Sequence, residues 1–364
     1  MKRAAIAQDW EVFVAHPGAG MAADINEQPA GFARLLEPAN AEAIARIAAV
    51  IAERRPRHVV FTARGTSDHA ALYAAYLTEI RLGLPAGLAS PSAVTVFGAR
   101  PDLSSALVIG VSQSGGSSDL AEVLRQARAS GALTLAVTNA PDSPLTGVAE
   151  LAIDIVAGHE RAVAATKTYT AELFTLLMLI EGVRAGNGVL PEEERKALAA
   201  LPELAERTLA DPTARQLATR YRFAARVVTT GRGYAYPTAR EAALKLMETS
   251  YLPSLAFSGA DLLHGPLAMT DPDVPVLAVV GAGPGGAAMR DVLARVGERG
   301  ADVVAVGPSD VPGATARLAV PQVDERYAPL LDILPLQQLA LALALARGED
   351  PDAPRGLHKV TSTL

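Results

Sequence analysis

The chain has 364 residues, which exceeds the roughly 100 to 200 residues of a typical single domain and favours two domains over one large core. Half of the residues are apolar, 20% are charged and 4% are aromatic, a composition that excludes a disordered chain and predicts an interior of Ala, Leu and Val. A net charge of −6 and the lack of a block of basic residues argue against binding to nucleic acid. The lack of cysteine excludes disulfides, thiolate nucleophiles and Cys-based metal sites.

Residues 1–38 are predicted to form an N-terminal arm or leading helix. Their charged start is not followed by the apolar core of a signal peptide, because Asp9 and Glu11 interrupt it. The most apolar stretches, 173–180 and 331–346, are short or broken by glutamines and fall below the roughly 20 residues that a membrane span needs. The expectation is a soluble, cytoplasmic protein without a membrane partner.

The segment 39–190 is predicted to form a first α/β domain. Val- and Ile-rich runs at 58–63, 105–112 and 132–139 have the length of buried strands. Between the last two runs, apolar residues recur from Leu120 at i, i+3, i+4 and i+7, which is the stripe of a helix packed on a sheet. This alternation predicts a parallel sheet with crossover helices.

The segment 214–347 repeats that pattern and is predicted to form a second domain. Its apolar runs lie at 226–233, 273–281 and 302–307. Matching positions in the two halves are 168 or 169 residues apart, as Arg64 and Arg232 or Gly131 and Gly300 illustrate. A period this long exceeds that of solenoid repeats and indicates two copies of one domain.

Two further segments complete the predicted organisation. Residues 191–213 carry prolines and alternating charges and are predicted to be a helical connector. Residues 348–364 contain helix breakers and no periodicity, so by themselves they read as a loose C-terminal tail.

The strand-to-helix turn VSQSGGSSDL is a candidate anion site. A hydroxyl- and glycine-rich turn at a helix N-terminus offers unpaired backbone N–H groups and the positive end of a helix dipole, and Ser112, Ser114 and Ser117 add hydroxyl donors. The turn has no Lys or Arg and lacks the nucleotide-binding spacings, so a single phosphate ester suits it best. The alternative is that Ser117 or Ser118 only caps the helix.

Two other strand-to-helix turns differ from this one in their hydroxyl content. The matching turn of the second copy, VVGAGPGGAAM, has no hydroxyls, and its glycines are expected to serve turn geometry. The turn ARGTSDHAA places Thr66 and Ser67 at a helix start near the carboxyl edge of the first sheet, where ligands of open α/β folds collect. Ser67 is a candidate ligand contact, with helix capping as the alternative.

Glu241, Lys245 and Glu248 are candidates for acid–base chemistry. Their i, i+4, i+7 spacing places them along one face of the predicted helix after GRGYAYP. A Glu beside a bound sugar can move a proton between neighbouring carbons, and a nearby Lys keeps it ionised. The alternative is a solvated helix face.

His264 is a candidate for opening a sugar ring, because a neutral imidazole can move a proton between the anomeric hydroxyl and the ring oxygen. Most single histidines have no such role. The other histidines form no metal-spaced cluster, so no metal and no other cofactor is expected.

Six motifs in one order extend this interpretation, namely ARGTS, SQSGGSSD, HERAVAATKTYT, GRGYAYPTAREAALKLME, HGPLAM and PRGLHKVTSTL. Together they resemble the sugar isomerase (SIS) family, and in particular the isomerase half of the glutamine–fructose-6-phosphate aminotransferases. The resemblance runs from residue 25 to the C-terminus. It implies an α/β fold of two tandem SIS domains, each a flavodoxin-like, doubly wound parallel sheet flanked by helices.

The resemblance also implies roles for single residues. The phosphate loop of the family matches Ser112, Gln113, Ser114 and Ser117, with Ser67 beside Thr66 as a sugar contact and Val163 lining the site through its backbone. The proton-shuttling carboxylate matches Glu248, supported by Glu241 and Lys245. The ring-opening histidine matches His264, which in the family comes from a neighbouring subunit and implies a homodimer. The lysine that forms an imine with the open-chain ketose matches Lys359, which makes the tail a flap over the substrate.

Departures from the family pattern narrow the expected activity. Ser117 stands where a Thr is usual, and Asp261 and Leu263 replace a Glu and a Lys before the histidine. We expect no glutaminase domain, and its catalytic cysteine has no counterpart in a chain without Cys. The expected reaction is then the isomerisation and deamination of glucosamine 6-phosphate to fructose 6-phosphate and ammonia.

Two alternatives stay open at this stage. A related SIS enzyme could act on fructoselysine 6-phosphate or on galactosamine or tagatose phosphates. The need for Lys359 is less obvious in such an enzyme, so its presence argues modestly against this alternative. A non-catalytic phosphosugar sensor would need an output module, and residues 1–38 are too short and unpatterned to supply one.

Overall fold

The computed structural model describes residues 16–357 and residue 359. It contains two five-stranded sheets in which all strand pairs are parallel. The strands are β1 (His58–Thr62), β2 (Ala86–Leu88), β3 (Ala106–Ser112), β4 (Leu133–Thr138), β5 (Leu151–Asp154), β6 (Val227–Gly231), β7 (Ser254–Ser258), β8 (Pro275–Val279), β9 (Asp302–Gly307) and β10 (Ala316–Ala319).

Helices cover both sheets. They are α1 (Ala19–Asn26), α2 (Gln28–Leu36), α3 (Pro38–Arg54), α4 (Gly65–Leu77), α5 (Pro91–Thr95), α6 (Ser118–Ala129), α7 (Pro144–Val148), α8 (Lys167–Ala185), α9 (Glu192–Leu209), α10 (Thr213–Tyr221), α11 (Ala235–Ser250), α12 (Gly259–Leu263), α13 (Pro284–Gly297) and α14 (Ala328–Ala346). A π-helical turn (Thr78–Leu82) extends α4, and a 3-10 turn (Pro266–Met269) follows α12.

The two sheets have the same topology. The first has the strand order β2-β1-β3-β4-β5, and the second has the order β10-β9-β8-β6-β7, which is the same arrangement listed from the other edge. This is the doubly wound flavodoxin-like order, in which ligands collect at the carboxyl ends of the strands. The predicted α/β class with two tandem domains is confirmed.

The duplication is visible in the positions of the central strands. The first residues of β1 and β6, His58 and Val227, are 169 residues apart, and so are Ala106 and Pro275, which begin β3 and β8. Residues 106–112 of the run predicted at 105–112 form β3 and are all buried, because helices cover both faces of this sheet. The α9 helix lies within the segment 191–213 that the sequence marks as a connector.

The helix α14 belongs to the protein core. It is long and apolar enough to cross a membrane by length and composition, but 83% of its most apolar window is buried inside the fold. Gln337 and Gln338, which interrupt the apolar run, are buried with partners: Gln28 Nε2 donates to Gln337 Oε1 at 2.8 Å, and Gln338 Nε2 donates to the Leu209 carbonyl at 2.8 Å. These glutamines therefore do not break the helix.

The described part of the C-terminal tail is tied to the N-terminal helix and to α11. Asp352 accepts hydrogen bonds from the backbone N–H groups of Gly20 and Met21 at 2.7 Å each, so a tail carboxylate satisfies the first turn of α1. The Arg355 backbone N–H donates to the Tyr251 hydroxyl at 2.6 Å. The tail interpreted as loose from its residues alone is thus anchored here, whereas residues 358 and 360–364 lie outside the described residues.

Candidate active site

The predicted phosphate loop, residues 112–118, joins β3 to α6 at the carboxyl edge of the first sheet. Ser112 Oγ accepts from the Gly115 N–H at 3.1 Å and Ser114 Oγ accepts from the Gly116 N–H at 3.2 Å, which fixes the turn. Gly115 has φ of 59°, and a Cβ there would lie 2.1 Å from Ser143 Oγ, so the turn requires glycine. Ser117 precedes α6 without a side-chain capping bond, so the capping alternative does not describe its hydroxyl.

An arginine from another turn lies beside this loop. Arg64, which precedes α4, donates to Asp119 Oδ2 through Nε at 3.0 Å and lies 2.8 Å from it through Nη2. Asp119 is buried in the first turn of α6. The pair brings the two turns of the first sheet together, a contact that the spacing of the motifs did not reveal.

The matching turn of the second domain already holds a carboxylate. Glu325 accepts backbone hydrogen bonds from Gly285 at 3.1 Å and Gly286 at 2.9 Å, at the N-terminus of α13. A Cβ at Gly283 would lie 2.4 Å from Glu325 Oε2. The glycines of this turn therefore let an internal anion approach the backbone, which adds a function to the turn geometry expected of them.

Thr66 and Ser67 lie in the first turn of α4 and both contact carboxylates. Thr66 Oγ1 donates to Glu241 Oε1 at 3.1 Å, and Ser67 Oγ donates to Glu172 Oε1 at 2.7 Å. Neither hydroxyl makes a side-chain cap for α4. The first domain thus meets α11 of the second domain through Thr66.

The predicted stripe of α11 is a buried charge network rather than a solvated face. Glu241 and Lys245 are completely buried, and Glu248 is 22% exposed. Lys245 Nζ lies 3.3 Å from Glu241 Oε1 and 2.5 Å from Glu248 Oε2, and it donates to Thr66 Oγ1 at 3.0 Å. His69 Nδ1 lies 2.7 Å from Glu241 Oε2 on the other side.

Glu241 and Lys245 keep their charges in this network. Burial raises the pKa of Glu241, but Lys245 and His69 outweigh it and leave the pKa below the usual value. Burial lowers the pKa of Lys245, while Glu241 and Glu248 outweigh it and hold the pKa above its usual value. Lys245 therefore stays an ammonium group beside the more exposed carboxylate, Glu248.

The segment around Val163 is held from two sides. Glu160 accepts from the Thr166 and Thr168 N–H groups, both at 2.9 Å, at the N-terminus of α8. Asp24 of α1 accepts from the Arg161 N–H at 2.6 Å and the Ala162 N–H at 3.0 Å. These buried carboxylates fix the backbone next to Val163.

The structure places Lys359 in the same region. Its Nζ donates to the carbonyl oxygen of Ala162, next to Val163. Burial lowers the pKa of Lys359; Glu160 and Asp24 oppose this shift, and the charge of Lys245 adds to it. Lys359 and Lys245 are thus close enough to interact electrostatically.

His264 is not brought to this network within one chain. It follows α12, is exposed, and makes a backbone hydrogen bond to Asp261 at 3.0 Å. Among residues 16–357 and 359, no side-chain hydrogen bond or ion pair involves its ring. In the same described part of the chain, no group of three or more His, Cys, Asp or Glu could hold a metal ion.

Comparisons with known proteins identify the family. The SIS domain family profile matches residues 54–182 and 221–347, so the chain belongs to the SIS family, as a protein of two tandem SIS domains. It is 37% identical over 310 residues to a protein named glutamine–fructose-6-phosphate aminotransferase [isomerizing] from Methanothermobacter thermautotrophicus. That match covers 83% of this chain and 51% of the relative, so the chain spans about half the length of such curated relatives.

Two solved structures have the same architecture over most of the chain. The C-terminal domain of glucosamine-fructose-6-phosphate aminotransferase from Francisella tularensis aligns with a TM-score of 0.82 and 26% identity, covering 92% of this chain and 98% of that one. A crystal structure described as a "putative phosphosugar isomerase" from Silicibacter pomeroyi DSS-3 aligns with a TM-score of 0.82 and 36% identity, covering 92% and 99%. The predicted resemblance to the isomerase half of the aminotransferases is confirmed.

Several residues of the site were not found from the sequence. Glu172 and Asp24 carry no local motif, because each contacts a distant part of the chain, Ser67 in the case of Glu172 and the backbone of Arg161 in the case of Asp24. HERAVAATKTYT contained Glu160 but pointed only to Val163. A usable signal for Glu172 was its position as a charged residue directly before the apolar run 173–180 of α8, since a buried carboxyl needs a partner.

Proposed function

We propose that the protein is an isomerising deaminase that converts glucosamine 6-phosphate and water to fructose 6-phosphate and ammonia. The observation that carries this proposal is the buried Lys245 between Glu241 and Glu248, next to the hydroxyl turn of α4. A partly exposed carboxylate beside a bound sugar can remove a proton from a sugar carbon and return it to the neighbouring carbon.

In this proposal the phosphate group binds to the phosphate loop. Ser112, Gln113, Ser114 and Ser117 surround the start of α6, whose backbone N–H groups and dipole favour an anion. Ser67 and the backbone near Val163 contact the sugar. The phosphate thereby fixes the sugar so that its first two carbons face Glu248 of the second domain.

The chemical steps follow from the residues present. His264 opens the ring by moving a proton from the anomeric hydroxyl to the ring oxygen. Glu248 removes the proton on C2 and delivers it to C1, which turns the amino aldehyde into an imine at C2. The Lys359 amine attacks that imine carbon and releases ammonia, and water then hydrolyses the lysine imine to fructose 6-phosphate. A lowered pKa of Lys359 favours the neutral amine that this attack requires.

The same proposal assigns His264 to a site formed by two copies of the chain. His264 is exposed, and the apolar side chains of Met247, Leu255 and Leu263 are also exposed, by 41%, 48% and 37%. A homodimer that covers these side chains would bring His264 of the partner subunit to the network on α11.

The proposal is tested by incubating the purified protein with glucosamine 6-phosphate and measuring ammonia and fructose 6-phosphate. We expect equal amounts of both products, and a loss of at least about 100-fold in kcat for Glu248→Gln. Ser114→Ala should raise KM and leave kcat less affected. Thermal stabilisation by glucosamine 6-phosphate without product would refute the deaminase, and a panel of other phosphosugars would then identify the substrate or a sensor role.

A further inference from the structure

Glu172 lies behind the sugar contact that the proposed function uses. It is on the second turn of α8 and only 1% of it is exposed. Its Oε1 accepts the hydrogen of the Ser67 hydroxyl at 2.7 Å. Its other oxygen, Oε2, has no hydrogen-bond partner within the described residues. A buried carboxyl is costly unless it has a role or a partner, so this residue requires an explanation.

The hydrogen bond determines what Ser67 can offer to a ligand. A serine hydroxyl has one hydrogen and two lone pairs. Since the hydrogen is donated to Glu172, the Ser67 oxygen presents lone pairs to the site. It is then matched to a donor on the ligand, such as a hydroxyl or an ammonium group, and mismatched to a carbonyl or carboxylate oxygen.

We propose that Glu172 is a positioning residue that makes Ser67 a hydrogen-bond acceptor, and thereby selects sugar phosphates that carry a hydroxyl or ammonium donor at that point. The inference rests on the proposed function and deepens it, because it names how the site recognises the sugar. Glu172 acts through Ser67 and does not itself touch the substrate.

The protonation state of Glu172 supports this role. Burial raises the pKa of Glu172 to about 8, the hydrogen bond from Ser67 opposes the shift, and the carboxylates of Glu241 and Glu160 add to it. Tyr169, three residues before Glu172 on the same helix, is also buried. At neutral pH the group is therefore protonated and adds no negative charge near an anionic substrate; with its proton on Oε2, its Oε1 still accepts from Ser67.

Four variants test the inference through KM and kcat for glucosamine 6-phosphate: Glu172→Gln, Glu172→Leu, Ser67→Ala and the double variant of the last two. Glu172→Gln keeps an acceptor oxygen, so its KM at pH 7 should stay within about threefold of wild type. Glu172→Leu frees the Ser67 hydrogen and should raise KM about tenfold, with kcat within about threefold, for one lost oriented hydrogen bond.

The double variant separates positioning from a merely structural role. If Glu172 acts through Ser67, Glu172→Leu should raise KM by less than about twofold when Ser67 is already Ala, because the oriented hydroxyl is gone. Equal effects of Glu172→Leu in both backgrounds would overturn the proposal, and so would a wild-type KM in Glu172→Leu. Thermal unfolding of each variant shows whether it is folded. If Glu172→Leu is unfolded, the KM of Glu172→Gln tests the proposal.

The pH dependence gives an independent readout. Ionisation of Glu172 above about pH 8 adds a negative charge near the sugar phosphate, so the wild-type KM should rise there and that of Glu172→Gln should not. The same rise in Glu172→Gln would overturn the proposal. If the wild type binds glucosamine 6-phosphate without releasing ammonia, the proposed function fails, and the dissociation constants of the same variants still test Glu172.

Discussion

Nζ of Lys245 lies 2.5 Å from Oε2 of Glu248, and the lysine is completely buried whereas the carboxylate is partly exposed. The ammonium group also contacts Glu241 and Thr66 and so joins the two SIS domains. A buried charge with this many partners costs desolvation energy, which its ion pairs must offset. The arrangement therefore makes fold stability and the proton transfer proposed for Glu248 depend on the same side chain.

Replacing Lys245 with Met should affect both properties. The substitution leaves the buried Glu241 carboxylate without its cation, and losing one partner of a buried pair typically costs about 3–5 kcal/mol. We expect this loss in the free energy of unfolding, measured by urea denaturation, together with a loss of at least about 100-fold in kcat. The matched control is Lys196→Met, because Lys196 is 75% exposed and pairs with Glu192 on the surface of α9. Similar small changes in both variants would contradict the assigned role.

The contacts of Glu325 predict that the turn before α13 in the second domain can bind an anion once Glu325 is removed. Replacing Glu325 with Ala leaves the N–H groups of Gly285 and Gly286 without an acceptor, which should cost about 1–3 kcal/mol. Inorganic phosphate should bind to these N–H groups and recover part of the loss, so that it raises the melting temperature of Glu325→Ala more than that of wild type. The two melting temperatures are also measured after Ser114→Ala is added to Glu325→Ala and to wild type. This substitution reduces the contribution of phosphate bound at the phosphate loop of the first domain. Equal shifts in the two proteins would show that Glu325 does not occupy an anion position.

The pKa of Glu172 predicts how stability changes with pH. The pKa of the carboxyl is about 8 in the folded protein and near 4.5, the usual value of a glutamate, when the chain is unfolded. Between these values the folded state holds a proton that the unfolded state has lost, so this contribution to stability is complete below about pH 4.5 and is lost as pH rises to about 8. Glu172→Gln lacks this loss. Its stability relative to wild type should rise by on the order of 1–3 kcal/mol between pH 5.5 and 8, measured by urea denaturation; parallel curves would contradict the raised pKa.

The sequence predicts the centre of each sheet better than its edges. Long Val- and Ile-rich runs identify β1, β3 and β4 and their counterparts in the second domain, because strands buried on both faces are continuously apolar. The edge strand β2 has three residues, Ala86–Leu88, and no periodic pattern to reveal it. An edge strand of this kind is defined by its neighbour in the sheet and not by its own residues.

The same distinction applies to the site. Ser112, Ser114 and Ser117 share one motif, so their chemistry can be inferred from local order alone. Glu172 and Ser67 are 105 residues apart, and only the packing of α8 against α4 brings them together. Motifs therefore predict the residues that face a ligand, and the residues that orient them depend on tertiary structure.

The last prediction concerns the assignment of His264 to the partner subunit's site. Glu248→Gln and His264→Ala should each be inactive alone as purified homodimers. When equal amounts are mixed and allowed to exchange subunits, half of the dimers pair the two variants, and each of these has one site with an intact Glu248 and an intact His264. The mixture should recover about a quarter of the wild-type activity, by the statistics of symmetric dimers. Measurement of ammonia release over the course of exchange checks this, with unmixed variants as controls. If mixing restores nothing while mass spectrometry shows exchanged dimers, His264 acts within its own chain or has no part in the reaction.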